Sequence, residues 1–179
     1  VGTTRMVVHE LYTPRLHSIW TNDGLRVHTV GDANTVRTST NGGLTWQVVP
    51  VTGPLTTLRA VQGNATGTVL AVGNTNSTGN RQVLALSGTT YAPQTLSGGN
   101  TTDVLNAVAV SGTGAVVVAA ANAGGSAGGA YRRTPTGTWS HNAYSQPVTA
   151  VWSFPNYMAD APGIFNETSH EDFLIGGQA

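Results

Sequence analysis

The stretch TSTNGGLTWQVV, Thr38 to Val49, sets a serine, an asparagine, two glycines and a tryptophan at close intervals, then runs into strand-like residues. Asn41 is a short polar residue of the kind that hydrogen-bonds turn backbone and tolerates a left-handed conformation. Gly42 and Gly43 accept positive φ without steric cost. Trp46 is expected to carry a large apolar ring back between adjacent sheets. The stretch therefore reads as a hairpin. It is either a solitary turn, a piece of a carbohydrate-active site, or one copy of a repeat.

The rest of the chain favours the repeat. LHSIW begins at Leu16, LRAVQ at Leu58, LNAVA at Leu105 and VTAVW at Val148, at spacings of 42, 47 and 43 residues. Each start leads through a polar turn to a second apolar run: RVHTVGD, TVLAVGN, AVVVAAA and DFLIGG. In the first two units a glycine, Gly31 or Gly73, closes that run at the same offset. Third runs follow as TVRTST, RQVLALSG and GAYRRTPTG, then a turn, an aromatic residue (Trp46, Tyr91, Trp139) and a fourth run. Four short strands in about 45 residues is the period of a propeller blade. Gly and Thr interrupt every candidate helix within a few residues, which disfavours a helical solenoid.

The expected fold is all-β, a β-propeller of four-stranded antiparallel blades, with about three to four blades in this chain. The units are 16–57, 58–104, 105–147 and 148–179, and residues 3–14 read as an outer strand at the N-terminus. The chain is expected to belong to a larger propeller. The alternative is a ring of four units in which the N-terminal strand completes the last.

STNGGLTW resembles the Asp-box of the BNR repeat, S/T-x-D/N-x-G-x-T-W. Ser39, Asn41, Gly43, Thr45 and Trp46 fill its positions, with Asn41 where Asp is commoner. SGTTY (Ser87 to Tyr91) and TPTGTW (Thr134 to Trp139) look like eroded copies. The wider pattern resembles the propellers of the photosystem II assembly and stability factor family and related YVTN/BNR-type propellers of exported bacterial proteins. The resemblance implies a β-propeller in which the Asp-box is a structural staple. It carries no function with it, because propellers host many.

Composition narrows the function. All eight basic residues are arginine, they balance eight acids, and charged residues make up only 9% of the chain. Nothing forms the basic stripe of a nucleic-acid binder. No apolar run reaches the roughly 18 residues of a membrane helix. The chain has no cysteine, so thiolate metal sites and disulfides are excluded. Its Arg-only, Ala/Gly/Thr-rich composition and its start at Val1 suggest a mature or trimmed exported bacterial protein, located in the periplasm, on the cell surface or outside the cell.

No catalytic residues, metal ligands or cofactor are expected. The histidines (His9, His17, His28, His141, His170) lack metal-site spacing, and SHED (Ser169 to Asp172) reads as a solvated loop. Sialidases also carry Asp-boxes, and the family resemblance would require an arginine triad introduced by an FRIP-like segment. That segment is absent, and Arg37, Arg59, Arg81, Arg132 and Arg133 sit in different repeat contexts.

Binding is the better expectation. Trp20 and Trp152 occupy the same offset at the end of the innermost strand, near one mouth of the channel. Their rings either anchor a partner or, as favoured here, pack between blades. The long turn from Ser153 to Asp172 carries Phe154, Tyr157 and Phe165, where an inserted loop on a rigid scaffold would meet a partner. The expected function is a non-catalytic protein-binding or scaffold module whose partner is a protein or a neighbouring subunit. The alternatives are a carbohydrate-active or sugar-binding propeller, and a structural subunit that pairs through open blade edges.

Overall fold

The computed structural model describes residues 14–153 and 173–177. They form fourteen strands: β1 (Leu16–Thr21), β2 (Val27–Gly31), β3 (Val36–Ser39), β4 (Gln47–Val48), β5 (Thr56–Gly63), β6 (Val69–Thr75), β7 (Arg81–Ser87), β8 (Thr90–Gln94), β9 (Val104–Val110), β10 (Val116–Ala121), β11 (Gly128–Arg133), β12 (Trp139–Tyr144), β13 (Val148–Ser153) and β14 (Phe173–Gly177). Three sheets of four consecutive antiparallel strands follow one another, and β13 and β14 form a fourth, two-stranded sheet. The expected outer strand 3–14 lies outside the described residues.

The sheets stack face to face. Antiparallel rows place directly opposed residues on one face, and alternation along the strand sends the next row to the other face. In the second sheet the row Gly63, Val69, Leu86 and Tyr91 looks back at the first sheet, whereas Gln62, Leu70 and Ala85 look forward to the third. The cores follow this division. Val69, Ala71 and Tyr91 pack with Val30, Val36 and Val49 of the first sheet. Leu70, Val72 and Val83 pack with Leu105, Val116, Val118, Tyr131 and Trp139 of the third. Burial on both faces explains why β6 and β10 are buried at every position and read as continuous apolar runs, without alternation.

The first strand of each sheet lies beside the first strand of the next. Val61 N donates to Ser18 Oγ at 3.2 Å, Val110 N to Gln62 Oε1 at 2.8 Å, and Ser153 Oγ to the Val110 carbonyl at 3.0 Å. This is the inner wall of a propeller. At the outer rim the connector leaving β4 joins the following sheet: Tyr91 N donates to the Pro50 carbonyl and Thr52 N to the Tyr91 carbonyl, both at 3.0 Å, around a parallel bridge between Val51 and Tyr91.

The glycine-rich run Asn122 to Gly129 is a turn that leads into β11. Asn122 Oδ1 accepts Ser126 N at 2.9 Å, Gly125 takes φ +69°, and Gly128 and Gly129 already belong to β11. Gly129 is needed there, because a Cβ would stand 2.2 Å from His141 Nε2.

Candidate functional site

The Asp-box turn joins β3 to β4. Ser39 Oγ donates to Asn41 Oδ1 at 2.9 Å and accepts Gly43 N at 2.8 Å. Asn41 Oδ1 accepts Thr45 N, and Asn41 Nδ2 donates to Thr45 Oγ1, both at 2.9 Å. Gly42 and Gly43 have φ of +70° and +91°, and Gly42 N donates to the Leu25 carbonyl, tying this turn to the one between β1 and β2. That neighbouring turn is held by Asp23, whose carboxylate accepts Arg26 N and Leu25 N. Those bonds hold its carboxyl below the usual range, Arg26 contributing most. The side chains of Ser39, Asn41 and Thr45 are all bonded within the turn itself, which makes it a staple.

Trp46 departs from expectation. It is 39% exposed, with its ring over Gly43, and does not enter a space between sheets. The reason is its row: Thr21, Val27, Ser39 and Trp46 look back, away from the second sheet. Tyr91 and Trp139 occupy the same row of the second and third sheets and are buried against the sheet before them. The turn before Trp139 keeps the box in reduced form, with Thr134 Oγ1 2.9 Å from Thr136 Oγ1 and accepting Thr138 N at 3.1 Å.

Trp20 and Trp152 share a register but not an environment. Trp20 packs between the first and second sheets, 5.9 Å from the His28 ring, with its rim against Gly63. Trp152 is 61% exposed. The two are not brought together. Phe154, Tyr157 and Phe165 lie outside the described residues.

A second set of side chains shares one register at the opposite end of the innermost strands. Each of these four strands carries a β-bulge at the same place: Leu16 and Ser18 pair with Gly31 and Val30, Leu58 and Ala60 with Gly73 and Val72, Leu105 and Ala107 with Ala120 and Ala119, and Val148 and Ala150 with Gly177 and Gly176. The extra residue is His17, Arg59, Asn106 or Thr149. Bulges re-aim a side chain and leave it outside the ladder. The strand also presses on its neighbour here, because a Cβ on Gly31 would come 1.9 Å from the Arg15 carbonyl oxygen, and one on Gly73 1.9 Å from that of Thr57. The glycines closing the second runs are therefore the counterparts of the bulges.

The bulged residues reach across to the residue after that glycine. His17 Nε2 lies 2.8 Å from Asp32 Oδ1, and Arg59 Nη1 donates to Asn74 Oδ1 at 2.6 Å. Asn106 Nδ2 donates to the Val148 carbonyl at 3.3 Å, toward the next sheet. The hydrogen bond from His17 is the main cause holding the Asp32 carboxyl below its ordinary value. Half-burial pulls the Arg59 guanidinium down, while Asp32 opposes that shift. A guanidinium carries five N–H donors, and the bond to Asn74 uses one. His17 and Thr149 are exposed, and Arg59 and Asn106 are half-buried. The row can therefore bond a chain laid across the channel mouth.

The signal for this row was in the sequence. A regular strand places buried residues two apart, yet Leu58 and Val61, or Leu105 and Val108, are buried three apart with a polar residue next to the first. That spacing is the mark of one inserted residue.

The remaining polar cluster is internal. Tyr131 Oη donates to Asp103 Oδ2, and Arg81 Nη1 donates to Tyr131 Oη at 2.5 Å and to the Asn100 carbonyl at 2.8 Å. Burial, aided by Asp103, pushes the Tyr131 phenol well above its ordinary value. These groups satisfy one another between the second and third sheets and leave nothing directed at a substrate. Among the described residues no three His, Asp or Glu side chains gather in a metal-binding group, and no helix is long and apolar enough to cross a membrane.

No family model matches the chain, and no curated protein matches it. Among solved structures it is similar to one described as "YCF48 bound to D1 peptide", with a TM-score of 0.54 and 19% identity, over 84% of this chain and 48% of that one. The chain thus spans about half the length of that protein. Its three four-stranded sheets and partial fourth have the fold of the YCF48 propeller, a photosystem II assembly factor, and cover about half of it.

Proposed function

We propose that this chain is a non-catalytic binding module that holds an extended peptide segment of a protein partner across one mouth of the propeller. The observation that carries this reading is the bulge repeated in all four innermost strands, which sets His17, Arg59, Asn106 and Thr149 at one register. A row of mixed donors on a rigid inner wall suits main-chain carbonyls and a carboxylate, and Arg59 is its strongest donor. The likeness to a propeller solved with a bound peptide supports the same reading. Export to the periplasm, cell surface or medium is proposed on composition alone, and fractionation of the source cells tests it.

The binding test is fluorescence anisotropy with a panel of labelled peptides, acidic and neutral, each with a free or an amidated C-terminus. Acidic or free-carboxylate peptides are expected to bind, and Arg59→Ala to weaken them by about tenfold or more, the scale of a lost charge-assisted hydrogen bond. Binding that ignores Arg59, or a response only to glycans offered in parallel, would overturn the proposal.

A further inference from the structure

Asn41 is followed by glycine, and none of the other asparagines in the chain is. That pairing has a chemistry of its own. A backbone N–H can attack the side-chain carbonyl carbon of the asparagine before it. Glycine, with no Cβ, hinders that approach least. Asn76, which is exposed and followed by serine, offers a reference within the same chain.

In the folded turn both reacting groups are occupied. Gly42 N donates to the Leu25 carbonyl at 2.9 Å. The Asn41 carboxamide is fixed at both ends, Oδ1 accepting Ser39 Oγ and Thr45 N, and Nδ2 donating to Thr45 Oγ1. Gly42 is exposed, so water and base reach it once its N–H is released. The acceptor at Leu25 belongs to the turn between β1 and β2, which lies so close that a Cβ on Gly42 would stand 3.3 Å from the Gly24 carbonyl oxygen. That turn keeps its shape through Asp23, whose Oδ1 accepts Leu25 N and Arg26 N. The nucleophile of one turn is thus held idle by the backbone of another.

We infer that Asn41 is a deamidation site guarded by the turn between β1 and β2. When the tie to Leu25 opens, Gly42 N bonds to Asn41 Cγ and the Cγ–Nδ2 bond breaks. Ammonia leaves, carrying the Gly42 amide proton. Water then opens the five-membered imide at one carbonyl or the other. Opening one way gives aspartate at position 41, the residue commoner in the Asp-box. Its carboxylate still accepts Ser39 Oγ and Thr45 N, and the Thr45 hydroxyl turns round to donate. Opening the other way gives isoaspartate, which routes the main chain through the side-chain carbon and adds a methylene to the turn. That product draws Gly42 N and Gly43 N away from their acceptors, the Leu25 carbonyl and Ser39 Oγ. Either product adds a negative charge to a chain whose formal charges balance. The site converts a transient parting of two turns into a permanent mark.

Incubation of the full chain at mildly alkaline pH, folded and in guanidinium chloride, tests this. Isoelectric focusing follows the added charge, and peptide mass mapping with an isoaspartate methylation assay locates it. In guanidinium chloride Asn41 is expected to convert well before Asn76. The folded chain is expected to convert at Asn41 at least about tenfold more slowly, in proportion to the small fraction of time the tie is open. Protection of the Gly42 amide against hydrogen exchange should match that factor. Asp23→Ala removes the acceptor that shapes the neighbouring turn and is expected to speed conversion of the folded chain severalfold. Asp23→Asn keeps an acceptor oxygen and should stay near the wild-type rate. Thr45→Val frees the Asn41 amide nitrogen but leaves the tie to Leu25, and should change the rate less than Asp23→Ala. A folded chain that converts as fast as the denatured one would overturn the inference. So would another asparagine converting first, or Thr45→Val outpacing Asp23→Ala. Should Asp23→Ala fail to fold, the wild-type comparison decides alone: conversion slowed by a factor unrelated to Gly42 amide protection would defeat the guard.

Discussion

The contact between the first and second sheets and the contact between the second and third repeat one geometry with different chemistry. In the first, the Tyr91 hydroxyl meets His28 Nδ1 at 3.2 Å, with Trp20 alongside and no ion pair to either group. In the second, Tyr131 is gripped by Asp103 and by Arg81, whose guanidinium also lies 4.8 Å from the ring centroid. Both tyrosines are fully buried, and burial raises both phenols well above their ordinary value. The lesson is that the repeat prescribes where a phenol ends but not what receives it. A neutral acceptor leaves the seam dependent on packing and pH. A charged clamp makes it depend on each partner staying in place.

Removing a partner should separate the two seams most strongly. Arg81→Met keeps the stem's packing but leaves Asp103 and Tyr131 without their cation. It is expected to cost about 3–5 kcal/mol by urea unfolding, the range for a broken buried pair. A cost below about 1 kcal/mol would mean that the clamp is no more demanding than a surface ion pair.

Acid should act on the other seam. Burial holds His28 below its ordinary value, so the folded chain keeps it neutral while the unfolded chain takes up a proton near pH 6.5. The stability this histidine contributes is complete above that pH. It is lost as the pH falls through 6.5 toward the lower folded value, because there the unfolded state binds more protons. His28→Phe should flatten that part of the stability–pH curve, with Arg81→Met leaving it in place. An unchanged slope in His28→Phe would assign the acid limb elsewhere.

The smallest effect should come from the staples. Asn41→Ala removes the acceptor of Thr45 N and Ser39 Oγ at an exposed turn and should cost about 1–2 kcal/mol. Thr134→Ala, at the reduced copy of the box, should cost less, about 0.5–1 kcal/mol. Equal losses in thermal melts would mean that the full box adds nothing to its remnant.

The strand plan was legible because its signals are local. Glycines with positive φ, polar turns and apolar runs recur at one period, and TSTNGGLTWQVV fixed the order of strands within a unit. The neighbours of a side chain were less legible. Trp46, Tyr91 and Trp139 are equivalent in sequence, yet their burial depends on whether a sheet stands in front of them, which no window of residues contains. Trp20 and Trp152 diverge for the same reason. The bulged row is readable from the three-residue spacing of Leu58 and Val61, but that His17 and Arg59 are its extra residues depends on register with the second strands, which no single strand contains. Charge partners such as Arg81 and Asp103 come from different units and only the fold joins them.

The parallel bridge from Val51 to Tyr91 makes the connector a stitch sewn in main chain, and side chains are incidental to it. A seam fastened by backbone amides is blind to the identity of the residues it passes. Sheets fastened in that way are free to drift apart in sequence, one keeping a full Asp-box and another a bare two-residue turn, without losing their place beside each other.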